Sequence, residues 1–108
     1  MRIISAWLRS IGVKKPRWEK KGFFPVGFGE DDKRTYIEVH PFTMTDRRRI
    51  LALLHAVKYL ERCRVPGDVV ECGVWKGGSM MAVARTLLNA GSTERTLYLF
   101  DTYEGMTE

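Results

Sequence analysis

Asp68-Val-Val-Glu-Cys-Gly-Val-Trp-Lys-Gly-Gly-Ser-Met80 decides how this chain of 108 residues folds. Val69 and Val70 are β-branched and read as the heart of a strand. The strand ends in an acid, Glu71, followed by a loop carrying Gly73, Gly77 and Gly78. Helix formers take over at once, with Gly78 or Ser79 opening the helix. Strand, glycine loop and helix together present backbone N–H groups to a ligand at the open end of an α/β sheet. A second apolar run, Leu97 to Phe100, ends in Asp101. That acid falls about 20 residues beyond the loop, where a nucleoside-binding unit needs an acceptor for ribose hydroxyls.

The loop departs from both standard phosphate patterns. Gly73 and Gly78 have the spacing of a P-loop, but Ser79 stands where its lysine is required. Trp75 occupies the second glycine position of the dinucleotide pattern, where a bulky residue keeps a pyrophosphate off the backbone. What remains is a nucleoside-type ligand without phosphate and with an acid near each end. S-adenosylmethionine fits that description: its ribose diol suits Asp101, and its ammonium and sulfonium suit Glu71.

Working outward, Met80, Met81, Val83, Ala84, Leu87 and Leu88 are expected to form the buried side of the helix after the loop, which Gly91 closes. Val69 to Asp101 then make one βαβ unit with a right-handed crossover. Pro66-Gly67 is the turn before it. Upstream, Ile50, Leu53, Leu54, Val57 and Leu60 trace one face of a helix running to Arg64, with Thr45 as N-cap. Arg47, Arg48 and Arg49 oppose the dipole of that helix and are read as a solvated face. Tyr36 to His40 reads as a short strand or extended segment, since Pro41 biases His40 away from helical dihedrals.

Residues 1–35 read as a basic arm. Ile3, Ile4, Trp7, Leu8 and Ile11 recur at helical spacing among Arg2, Arg9, Lys14, Lys15 and Arg17. Such a helix can lie on an anionic surface; the plainer reading packs it on its own domain or a partner subunit. Phe23, Phe24 and Phe28 make the following Pro/Gly-rich loop apolar enough to dock.

Bulk properties narrow the class. A hydrophobic share of 44% suits a globular domain, and the length allows one domain or less. A net charge of +5 permits an acidic partner without requiring one. No aromatic residue interleaves with the arginine run, which argues against nucleic-acid binding. Cys63 and Cys72 make no disulfide framework, and Cys72 is expected to be a small buried residue of the strand. No apolar run is long enough for a transmembrane segment, and the N-terminus lacks a secretory pattern, so the expected compartment is cytoplasmic.

The string Pro66 to Met80, then Leu99-Phe-Asp-Thr-Tyr-Glu-Gly-Met106, with His40-Pro-Phe-Thr-Met-Thr45 upstream, resembles the macrocin/mycinamicin (TylF/MycF-type) sugar O-methyltransferases. The resemblance covers residues 36–108, the first part of the methyltransferase domain. It implies a Rossmann-like class I fold using S-adenosylmethionine to methylate a sugar hydroxyl of a macrolide-like or other glycosylated small molecule, assisted by a divalent metal, usually Mg2+. Carried over by residue, Glu71, Gly73, Val74, Trp75, Gly77, Gly78 and Ser79 would hold the methionine part of the cofactor and Asp101 the ribose. Met44 and Thr43 would border the cofactor or substrate pocket, with Tyr36 and Tyr103 towards the acceptor. The family's metal ligands and general base are expected beyond Glu108, with no metal site and no catalytic base within these residues. On this reading the chain is the truncated start of the fold and inactive alone, with a homodimer plausible. Two readings compete: a non-catalytic βαβ module whose basic arm binds a partner or a membrane surface, and a nicotinamide-dependent enzyme, which Trp75 disfavours.

Overall fold

A computed structural model describes residues 17–105. The amphipathic arm expected around Ile3 to Ile11 lies outside the described residues. The described chain runs through a 3-10 turn (Arg17–Glu19), α1 (Glu30–Val39), a second 3-10 turn (His40–Phe42), α2 (Arg47–Arg62), β1 (Val69–Cys72), α3 (Gly78–Asn89) and β2 (Leu97–Phe100). The two strands pair in parallel, Val69 opposite Leu97 and Cys72 opposite Phe100, as a βαβ unit requires. Backbone bonds extend the ladder at both ends, Val69 N–H to the Thr96 carbonyl and Gly73 N–H to the Phe100 carbonyl.

The expected extended segment at Tyr36 to His40 is instead the end of α1 and the start of the 3-10 turn. The cause is local. Glu30, Asp31 and Asp32 place three acids in the first turn, where the helix dipole favours them. Asp32 also accepts the Gly29 N–H at 3.1 Å and caps the helix. Asp32, Thr35, Tyr36 and Val39 then face inward at helical spacing. His40 keeps helical dihedrals (φ −49°, ψ −41°) despite Pro41, because the proline opens a 3-10 turn where its missing N–H is not needed. The helix crosses residue 35, the expected boundary between arm and domain.

Asp46, rather than Thr45, caps α2: its carboxylate accepts the Arg48 and Arg49 N–H groups at 2.8 and 3.2 Å. This anion at the N-terminus counters the three arginines there. Arg47 is not merely solvated, because its guanidinium lies 4.7 Å from the centre of the Phe23 ring.

Two apolar clusters hold the helices together. Phe28, Tyr36, Val39, Ile50, Leu54 and Ala82 form the first, with Phe23, Phe24 and Leu51 against it. Val57, Met80, Val83 and Leu87 form the second, with Leu53, Val69 and Leu97 packed on it. Helix α3 belongs to both, so it ties the helical layer to one face of the sheet. On the other face, Val70, Tyr98 and Phe100 are exposed, and so is Cys72, contrary to its expected burial. Strand side chains alternate, and α3 covers only the Val69/Leu97 side. Met81 and Leu88 are also exposed, correcting the expected buried face of α3. Both point away from α2 and the sheet, while Ala82, Val83, Thr86 and Leu87 face inward. Among the described residues no helix is long and apolar enough to cross a membrane.

The turn into β1 is fixed by one side chain. Arg95 donates to Glu61 Oε1, the Gly67 carbonyl and the Val65 carbonyl, each at 2.5 Å. Asp68 accepts the Thr96 N–H at 2.9 Å, joining the starts of the two strands.

Candidate functional site

At the carboxyl ends of β1 and β2 the chain reverses through two loops, and a groove opens between them. Its inner part is a cavity of ≈ 110 Å³ lined by Thr43, Met44, Glu71, Trp75, Gly78 and Ser79 among others. Its outer part, ≈ 440 Å³, is lined by Met44, Gly73, Trp75, Asp101, Tyr103 and Gly105. Met44, Gly73 and Trp75 border both parts, which makes them one continuous surface.

The sequence explains the loop's shape. Gly73 and Gly77 have φ of +84° and +83°, a region that side chains avoid. Gly77 precedes α3 without a capping side chain, so the first amides of that helix stay free to meet an anion. Gly78 is required for a different reason. A Cβ there would lie 2.5 Å from the Phe42 carbonyl oxygen and 2.6 Å from Thr43 Cβ. That contact carries the Phe42–Met44 segment onto the helix N-terminus. The Thr43 hydroxyl accepts the Thr45 N–H at 3.0 Å and fixes the turn that presents Met44, which is 73% exposed.

The two acids sit differently. Glu71 is partly buried, and its Oε2 is enclosed without a hydrogen-bond partner. Burial pushes its carboxyl above the usual range; the Ser79 hydroxyl opposes this and the charge of Asp101 adds to it. Asp101 is held below the usual range by backbone N–H groups of Tyr103, Val74 and Trp75. Its Oδ2 accepts Val74 N–H at 2.6 Å and Trp75 N–H at 3.1 Å, and its Oδ1 accepts Tyr103 N–H at 3.0 Å.

The structure therefore brings together Thr43, Met44, Glu71, Gly73, Val74, Trp75, Gly78, Ser79, Asp101 and Tyr103 from the sequence-predicted set. Gly77 shapes the loop without lining the groove. Tyr36 is elsewhere: it is buried in the first apolar cluster, its ring stacked on His40 at 5.6 Å, and it does not border the groove. Its placement follows from the α1 helix that replaced the expected extended segment. Phe42 and Gly105 line the groove without having been singled out for it. Gly105, with φ +81°, carries a turn signal that points to it. Among the described residues no three His, Cys, Asp or Glu side chains converge to hold a metal.

A parallel βαβ unit with a glycine loop, and a groove at the carboxyl ends of its strands, defines an α/β class, in which ligands generally bind at that end of the sheet. Within that class the comparisons are specific. The macrocin-O-methyltransferase (TylF) family profile matches residues 26–108, and the chain belongs to this family. Three characterised O-methyltransferases are similar. The tetracenomycin-C 4'-O-methyltransferase of Streptomyces olivaceus, acting on an 8-demethyl-8-(2,3-dimethoxy-alpha-L-rhamnosyl) form, is 39% identical over 66 residues, which are 61% of this chain and 25% of that protein. The mycinamicin III 3''-O-methyltransferase of Micromonospora griseorubida is 41% identical over 64 residues, 58% of this chain and 25% of that protein. The demethyldecarbamoylnovobiocin O-methyltransferase of Streptomyces niveus is 30% identical over 61% of this chain and 25% of its own length. The matched stretch thus spans about a quarter of each relative. No solved structure matches the chain.

Proposed function

We propose that this chain supplies the methyl-donor side of an S-adenosylmethionine-dependent O-methyltransferase acting on a sugar hydroxyl of a glycosylated small molecule. The observation that carries the reading is the enclosed, unpartnered Oε2 of Glu71 beside the free N-terminus of α3. An enclosed carboxylate oxygen without a partner is costly, and a ligand ammonium beside the carboxylate would offset its charge. A ligand carboxylate would meet the uncapped amides of α3, which starts at Gly78 on the same inner cavity. An α-amino acid carries both groups, and S-adenosylmethionine is an amino acid joined to a nucleoside. The fit extends outward: Met44 and Trp75 offer apolar walls, and Asp101 lines the larger cavity, where the ribose would sit.

When bound, S-adenosylmethionine supplies an electrophilic methyl group. The residues here bind it, orient it through the loop, and screen it with Met44 and Trp75. Thr43 from the inner part of the groove and Tyr103 from its outer part would face the acceptor. Alignment of the acceptor oxygen with the methyl group is the main catalytic demand of such a displacement. The names of the relatives favour a glycoside acceptor, and the compartment proposed with this reading is the cytoplasm.

Calorimetric titration of the purified chain tests the reading. S-adenosylmethionine and S-adenosylhomocysteine should bind competitively, while a nicotinamide dinucleotide should not, because Trp75 blocks its pyrophosphate. Binding of the dinucleotide alone would replace this reading with the nicotinamide one.

A further inference from the structure

Among the described residues only Arg64, Trp75 and Tyr103 are non-glycine residues with positive φ, at +53°, +51° and +58°. Arg64 belongs to the turn after α2. The other two line the outer groove and come from different loops. Left-handed backbone is unfavourable for side-chain-bearing residues and persists only where the surroundings over-determine it. One side chain meets both. Asp101 accepts Trp75 N–H on Oδ2, together with the neighbouring Val74 N–H, and accepts Tyr103 N–H on Oδ1.

We propose that Asp101 is a positioning residue: one carboxylate, through its two oxygens, holds Trp75 and Tyr103 in their left-handed conformations and so sets both walls of the groove before any ligand arrives. A carboxylate is suited to this because both of its oxygens are acceptors. An asparagine offers one acceptor oxygen and turns an NH2 donor towards the other set of amides, so it can hold one loop at a time. The inference goes beyond the cofactor reading, in which Asp101 faces a ribose, and it makes a claim about the ligand-free chain. The Tyr103 hydroxyl adds a weaker tie to the Leu99 carbonyl at 3.3 Å, which restrains the ring but not the backbone turn.

Amide hydrogen exchange of the ligand-free 108-residue chain, read residue by residue by NMR, tests this. In Asp101→Ala, exchange at Val74, Trp75 and Tyr103 should quicken about 10–100-fold together, the loss expected for one charge-assisted hydrogen bond each. Core amides such as Ile50 and Leu54 should keep their wild-type rates. Asp101→Asn should restore either the Val74/Trp75 pair or Tyr103, not both. This split separates positioning from a general loss of stability, which would quicken all amides alike. Should the alanine variant fail to fold, the asparagine variant decides alone. Wild-type rates at all three amides in either variant would overturn the inference. A chain that does not bind S-adenosylmethionine would remove the cofactor reading and leave this result standing.

Discussion

Replacing Gly78 by alanine tests how the Phe42–Met44 segment meets the glycine loop. The added Cβ would lie 2.5 Å from the Phe42 carbonyl oxygen and 2.7 Å from its carbon. An ordinary contact begins at 3.4 Å, so the segment must retreat by about 0.9 Å. Both atoms are backbone, and no flexible side chain can absorb the shift. Overpacking of this kind costs about 1–3 kcal/mol. The better helix propensity of alanine recovers at most about 1 kcal/mol, and less at the first position of a helix. The net cost is about 1–2 kcal/mol, or a fall in Tm of about 5–15 °C for a domain of this size. The assay is thermal unfolding by circular dichroism, with Gly73 as the control. Gly73 has open space around it but φ of +84°, so its cost is conformational and asparagine should be tolerated better than alanine there. At Gly78 asparagine should be worse than alanine. A Gly78→Ala variant as stable as wild type, or a Gly78→Asn variant better than alanine, would refute the close approach.

Arg95→Ala should lower stability by about 1–3 kcal/mol in urea unfolding, because the Gly67 and Val65 carbonyls lose their donor; lysine should not rescue, lacking the planar fork. Lys58→Met should cost about 1–2 kcal/mol, because Asp32, 4% exposed, keeps only the Gly29 N–H as partner. Glu71 should give a pH signature. Its folded-state pKa is raised, so its contribution to stability is full below the ordinary glutamate pKa and is lost as pH rises through the raised value. Glu71→Gln should therefore unfold at a higher temperature than wild type at neutral pH, with the gap closing on acidification.

The parts of the fold that were legible in the sequence are those whose signal is local. Val69-Val70 ending in an acid, the loop glycines, and the five apolar positions of α2 each declare their element within a few residues. Helix α1 was hidden because its inward face includes two polar residues, Thr35 and Asp32, the latter buried against Lys58 and the Gly29 amide. With those two discounted, Tyr36-Ile-Glu-Val looks like a strand. Tyr36 was assigned to the groove for the same reason, since a helix turns it into the aromatic cluster. Cys72, Met81 and Leu88 were misplaced because apolar character does not say which face a neighbour covers. At the site, motif spacing identified Glu71 and Asp101 as the two acids of the groove. It could not reveal that Asp101 bonds the Val74 and Trp75 amides, contacts between residues 27 and 26 positions apart.

The central claim is that the enclosed Glu71 carboxylate is built to receive a cation from the methyl donor. Calorimetric titration of S-adenosylmethionine into wild type and Glu71→Gln at neutral pH tests it directly. The account predicts binding to wild type and a loss of about 10–100-fold in the variant, the worth of a charge-assisted hydrogen bond, in a protein that is itself more stable without ligand. Equal affinity in the two proteins would contradict it.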